Sequence, residues 1–307
     1  MILTDNIRGA LMMVGAMTAY TVNDAFMKSL SGDMPVFQAI FLRGLGVTLA
    51  LGLICWSKGQ FRARIAPRDR RLIGLRSLAE AASALLFLTA LFNMPLANLS
   101  AILQALPLTV SLAAALVLRE PLGWRRLTAI LIGFGGVLLI VRPGGADFNI
   151  YSLYAVGAVL LVTVRDLAVR PMSRDVPSIL VAFVAAGTVC AVAGAVSLLS
   201  PWAPLTPVVA AQLLGAMTAI LGGYILSVTA MRWGEIGFVA PFRYTSLIVA
   251  GILGLLVFGE VPRGLTLIGA AIVVATGLFT LYRERRLKVT PSLPRIPGRM
   301  RLPLPHP

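Results

Sequence analysis

The apolar residues of this 307-residue chain fall into ten blocks: 8–29, 35–56, 73–93, 97–118, 125–141, 150–169, 178–199, 208–231, 236–258 and 263–281. Each is about the 20 residues that an α-helix needs to cross roughly 30 Å of hydrocarbon. Lipid offers no partner for a backbone N–H or C=O, so a spanning segment must be a helix or part of a closed barrel. Barrel strands alternate apolar and polar residues, and these runs do not. The composition agrees, with 58% hydrophobic and only 13% charged residues, against about 25% charged in a soluble domain. The expected fold is therefore all-α and integral to the membrane, with ten transmembrane helices. Single charged groups interrupt several blocks, which leaves nine as the alternative count.

The net charge of +15 is a topology signal rather than a nucleic-acid footprint. With the N-terminus in the cytoplasm, the cytoplasmic segments hold Arg8, the run from Lys58 to Arg71, Arg119, Arg125, Arg126, Arg170, Arg174, Arg232 and the basic residues from Arg283 to Arg301. The other side holds only Arg142 and Arg263. This split obeys the positive-inside rule and puts both termini in the cytoplasm. Asp5, Asn23, Asp24 and Lys28 in the first block argue against a cleavable signal peptide, so the start is expected to be retained.

The chain also repeats itself. Gly15, Thr21, Asp24 and Lys28 line up with Gly157, Thr163, Asp166 and Arg170 at an offset of 142. Leu116–Glu120 lines up with Leu256–Glu260 at an offset of 140. Residues 8–142 and 150–282 thus read as two copies of a five-helix unit. Five is odd, so the copies insert in opposite directions. Inverted repeats of this kind are characteristic of secondary transporters, whose solute site lies near the midplane between the halves.

Ten helices in two five-helix copies, each with a glutamate closing its fourth helix (Glu120 before Pro121, Glu260 before Val261 and Pro262), resemble the EamA-type transporters of the drug/metabolite transporter superfamily. The resemblance covers about residues 8–285. It implies a carrier of small organic solutes in the bacterial inner membrane, with relatives that include riboflavin and S-adenosylmethionine carriers and amino-acid exporters.

Charges within the apolar blocks are costly, about 2.5–3.5 kcal/mol each at the bilayer centre, so they face protein or a wet cavity. Asp24 and Lys28 are spaced i,i+4, as are Arg76 and Glu80, and such neighbours on one helix face can pair. Asp166 has Arg165 beside it and Arg170 one turn on. These six are the ion-pair or proton-coupling candidates. Arg43 and Arg243 have no acid on their own helices and are the leading candidates to contact an anionic or acceptor-bearing solute. Asn23, Asp24 and Gln104 add hydrogen-bonding capacity. Tyr20 and Tyr244 cluster with these charges and offer rings for stacking. Phe92, Tyr224, Phe238 and Phe242 are further aromatics near the expected cavity.

Pro107 and Pro241 are expected to kink the fourth and ninth helices. Gly187, Ala191 and Ala195 form a small-residue stripe expected to permit close helix contact. Residues 287–307, rich in Pro and Arg, are expected to be a disordered cytoplasmic tail. Cys55 and Cys190 stand alone in apolar runs, so neither a disulfide nor a metal site is indicated. No phosphate-binding loop occurs, and His306 is the only histidine. No cofactor is implied.

The function that follows is secondary, non-ATP transport of a small organic metabolite, with riboflavin or a related vitamin, taken up, as the first choice. An S-adenosylmethionine or amino-acid-type carrier or exporter is the second. An intramembrane enzyme or a non-transporting assembly protein is the reading from another class. Direction, proton coupling and oligomeric state are open at this level.

Overall fold

The computed structural model describes residues 5–120, 122–144, 148–173, 175–233 and 236–289. Every described element is helical. In chain order they are α1 (Asp5–Ser29), α2 (Val36–Ser57), α3 (Pro67–Asn93), α4 (Leu96–Leu103), α5 (Leu106–Val117), α6 (Trp124–Val141), α7 (Tyr151–Val169), α8 (Ser178–Ser197), α9 (Pro207–Trp233), α10 (Ile236–Val239), α11 (Thr245–Phe258) and α12 (Gly264–Val289). Among the described residues, nine spans are long and apolar enough to cross a membrane, with Leu96–Val117 and Ala240–Phe258 each counted as one. The protein is a multi-pass membrane protein. α1 stands outside those nine; its 25 residues carry Asp5, Arg8, Asn23, Asp24 and Lys28.

The fourth expected helix is two helices. α4 ends at Leu103, and α5 begins at Leu106 with Pro107 in its first turn. Proline is tolerated there because the first N–H groups of a helix have no internal partner. Pro107 therefore starts a helix rather than bending the middle of one. The ninth span is broken likewise, by a 3₁₀ turn over Ala240–Tyr244 that contains Pro241. The prolines do not align, yet the breaks do: Gln104 caps the end of α4 and Tyr244 precedes α11, 140 positions later. Two other expectations are corrected. α12 runs to Val289, so the first residues of the expected tail are helical; residues 290–307, with His306, lie outside the described residues, as do Pro121 and the Arg174 of the charge argument. Of the stripe Gly187, Ala191 and Ala195, the two alanines are exposed and Gly187 faces Thr48 of α2, while α8 also meets α2 through Cys190 on Gly44 and Gly194 on Phe41.

The main packing partners are α1 with α9, α3 with α7, α2 with α8 and α6 with α12, with α4 against α11. Each joins the first half of the chain to the second. The α6–α12 contact brings two backbones together. A Cβ built on Gly136 would lie 2.9 Å from the Gly269 carbonyl oxygen, and one on Gly269 would lie 2.6 Å from that of Gly136. Bare backbone is what permits such an approach in lipid. Gly269→Leu is expected to destabilise the protein by at least about 1–3 kcal/mol, the usual cost of overpacking. Gly135→Leu, which meets nothing within 4 Å, is the control. Thermal unfolding in detergent reads both.

Helix α3, 27 residues long and so about 40 Å, defines the two ends of the bundle. At its start Asp69 accepts the Ser173 N–H just beyond α7 (3.3 Å). At its finish the Met94 carbonyl accepts from Lys28, at the end of α1 (2.6 Å). Gln38 of α2 exchanges two hydrogen bonds with Ala203 (2.8 and 2.9 Å), which fixes the α8–α9 connection to the bundle.

Candidate functional site

The repeated sequence places Asp24 on α1 and Asp166 on α7, and both reach the wall of an internal cavity. The cavity has two lobes, of about 360 Å³ and 460 Å³, which share Tyr20, Asp166 and Arg243. Both volumes fall in the range of small-molecule sites. The first lobe lies against the two helix breaks and is lined by Asp24, Gln104, Pro107, Tyr244 and Ser246. The second is lined by Arg43, Arg76, Glu80, Arg165 and Tyr224.

The second lobe holds an ionic network that joins α3 to α7. Arg165 donates through Nε to Asp166 (2.9 Å) and through Nη1 to both oxygens of Glu80 (3.2 Å). Arg76 stands 3.8 Å from Glu80. Opposite charges this close compensate the desolvation that each would otherwise suffer. The adjacency of Arg165 and Asp166 is what lets one guanidinium serve its own helix and the next.

A second chain of contacts crosses α1 and α2. Arg43, 8% exposed, donates to the Asn23 side-chain oxygen Oδ1 (3.2 Å), and Asn23 Nδ2 donates to Asp24 (2.9 Å). Asn23 is buried, lines neither lobe, and bridges Arg43 to Asp24 through its side chain. Tyr20 is held by Ser227 on α9 (3.1 Å). Gln104 donates to Ser246 (2.8 Å) and ties the two breaks together. The Tyr244 ring lines the first lobe while its hydroxyl packs on Gly277.

Arg243 differs from the other buried-span arginines. It sits in the 3₁₀ turn, lines both lobes and is exposed there. Its guanidinium has no hydrogen bond or ion pair to another described residue. A guanidinium on a cavity wall with its donors free is suited to a carboxylate, a phosphate or a ring acceptor edge.

One expected pairing is wrong. Lys28 does not pair with Asp24. It pairs with Glu260 (2.9 Å), donates to the Met94 and Leu91 carbonyls (2.6 and 3.4 Å), and lies 5.4 Å from the Phe258 ring centre. Glu260 in turn accepts the Leu96 N–H that opens α4 (2.7 Å). Lys28 thus sits at the end of the bundle, outside the lobes. Arg170, its counterpart in the sequence register, pairs with Glu120 (2.5 Å) rather than with Asp166. The sequence also gave no weight to Ser100, Ser111 and Ser246, whose hydroxyls line the first lobe; small polar residues inside the apolar spans were the available signal. Of the extra aromatics, Tyr224 lines the second lobe, whereas Phe238 and Phe242 pack on each other at 5.9 Å.

Residues 7–142, which supply α1 to α6 and so half the cavity wall, match the EamA-like transporter family. The chain is 34% identical to a riboflavin transporter of Vibrio cholerae over 190 residues, 61% of this chain and 62% of that protein. It is 27% identical to an S-adenosylmethionine uptake transporter of Rickettsia bellii, over 62% of this chain and 66% of that one. The match thus spans under two thirds of the length of each. A pseudopaline exporter of Pseudomonas aeruginosa is 26% identical over 87% of this chain and 93% of its own length. A solved crystal structure with 19% identity shares the fold at a TM-score of 0.63, over 91% of this chain and 98% of that one. The named relatives are transporters by description, and none is an enzyme.

Proposed function

We propose that the protein is a secondary carrier that moves a small ring-bearing organic solute across the bacterial inner membrane by alternating access, with the two-lobed cavity as its solute site. The observation that carries this reading is Arg243, a guanidinium without a partner among the described residues where the two lobes meet. α1 counts as the tenth span, and residues 8–142 and 150–282 as two inverted five-helix repeats with both termini cytoplasmic. The reciprocal packing of α1 on α9 and α3 on α7, and the breaks at Gln104 and Tyr244, support that arrangement. Broken helices at the repeat interface are how carriers of this architecture expose polar backbone to a solute.

Charge chooses among the solutes. Arg43, Arg76, Arg165 and Arg243 face Asp24, Glu80 and Asp166 across the lobes. With Arg170 on the first lobe as well, five cations stand against three acids; Arg170 is paired with Glu120, so the cation without a partner among the described residues is Arg243. That favours a ring system with an acceptor edge or a single negative group, such as a riboflavin-type vitamin. It disfavours S-adenosylmethionine, whose sulfonium adds a cation. Tyr20 and Tyr244 supply flat faces for the ring. Glu80 is engaged by two arginines, whereas Asp24 has the Asn23 amide and an open face on the first lobe, so Asp24 is the coupling candidate.

Purified protein in proteoliposomes is expected to take up labelled riboflavin in preference to S-adenosylmethionine. Asp24→Asn is expected to keep solute exchange and to lose any stimulation by a proton gradient. Preference for S-adenosylmethionine would overturn the charge argument, and absence of flux for every solute class would overturn the carrier reading.

A further inference from the structure

The two ion pairs at the ends of the bundle are made by the same two register positions, exchanged between halves. Lys28 closes α1 and Arg170 follows α7, 142 positions on; Glu120 follows α5 and Glu260 follows α11, 140 positions on. Lys28 pairs with Glu260, and Arg170 with Glu120, so each pair ties a cation of one half to a glutamate of the other. They lie at opposite ends of α3, since Lys28 reaches Met94 at its finish and Ser173, three residues beyond Arg170, reaches Asp69 near its start.

The pairs differ in their surroundings. The Lys28 and Glu260 side chains are 10% and 17% exposed, against 38% and 49% for Arg170 and Glu120. Lys28 has two further carbonyl acceptors and a ring beside it, and Glu260 also holds the first N–H of α4. Arg170 also lines the first lobe. One pair is thus sealed from water beside the broken span, and its counterpart sits at the mouth of the cavity. The attraction within a pair strengthens as water leaves and weakens as it enters.

We propose that Lys28–Glu260 and Arg170–Glu120 are reciprocal latches that control access to the cavity from the two sides of the membrane. Opening the Lys28 end breaks the first pair, lets water into it, and packs the second pair into the dry environment that the first now occupies. The present conformation has the Lys28 end latched. The α4 N-terminus moves with Glu260, so the broken span is the element that the latch carries. This inference rests on the carrier reading. It concerns access rather than solute, so its test uses none.

The test is labelling of a cavity cysteine, Val110→Cys on the first lobe, with Cys55 and Cys190 replaced by alanine. A membrane-impermeant maleimide is applied from the Lys28 side to protein reconstituted in vesicles of known orientation. Glu260→Gln and Lys28→Met are each expected to raise the labelling rate at least threefold. Glu120→Gln is expected to lower it, because it weakens the conformation that opens the Lys28 end. The exchange Lys28→Glu with Glu260→Lys is expected to return labelling toward the parent rate, which separates a latch from mere loosening of the fold. The proposal is overturned if Glu260→Gln leaves the rate unchanged, if Glu120→Gln raises it too, or if the charge exchange labels like the single variants. Riboflavin uptake failing while these rates move as stated would count against the solute assignment alone.

Discussion

Arg243→Glu is expected to abolish uptake of the solute while the protein unfolds at the parent temperature. The guanidinium has no described protein partner, so its loss leaves no orphaned charge behind. What it loses is the interaction with the solute. A hydrogen bond to a charged group contributes about 1.5–3 kcal/mol, so Arg243→Ala is expected to weaken apparent affinity by roughly 10- to 100-fold. Arg243→Lys keeps the charge but gives up the planar fork, and is expected to fall between alanine and the parent. Solute binding by calorimetry and melting in the same detergent separate the two effects. Normal transport by Arg243→Glu would remove Arg243 from the site and with it the charge argument for the solute.

Arg165→Met is expected to do the opposite, lowering stability first and transport as a consequence. Arg165 holds Glu80 and Asp166 together across α3 and α7. Taking it away leaves two carboxylates with only Arg76, 3.8 Å from Glu80, for compensation. Breaking a buried ion pair costs about 3–5 kcal/mol, and the quarter exposure of Arg165 and Glu80 places this case near the lower bound. Adding Glu80→Gln to Arg165→Met is expected to restore part of the loss, since one of the orphaned charges is then gone. A double variant no more stable than Arg165→Met would mean that Arg165 acts through packing rather than charge.

These two arginines each sit within an apolar span, Arg165 beside an acid and Arg243 with none on its helix, and they are opposite in expected effect. Arg43 shows where that reading stops. With no acid on its helix it resembled Arg243, yet it lies buried with its guanidinium on Asn23. A residue's own helix is legible from spacing. The partner that arrives from another helix is not.

The sequence by itself determined the class of the protein, the position of nearly every helix, and the recurring residue pattern that includes Asp24 and Asp166, both of which line the cavity. Those features are local: runs of apolar residues of bilayer length, and a pattern that recurs at a fixed offset. Only the tertiary structure decided that Lys28 belongs to Glu260 and Arg170 to Glu120, that the fourth and ninth spans break at paired positions, and that Arg243 alone of the cavity arginines has no partner among the described residues. The physical reason is that charge pairing in a bundle is settled by which helices pack together. Here the packing joins Arg170 to Glu120 across 50 positions and Lys28 to Glu260 across 232, separations that the i,i+4 rule cannot connect.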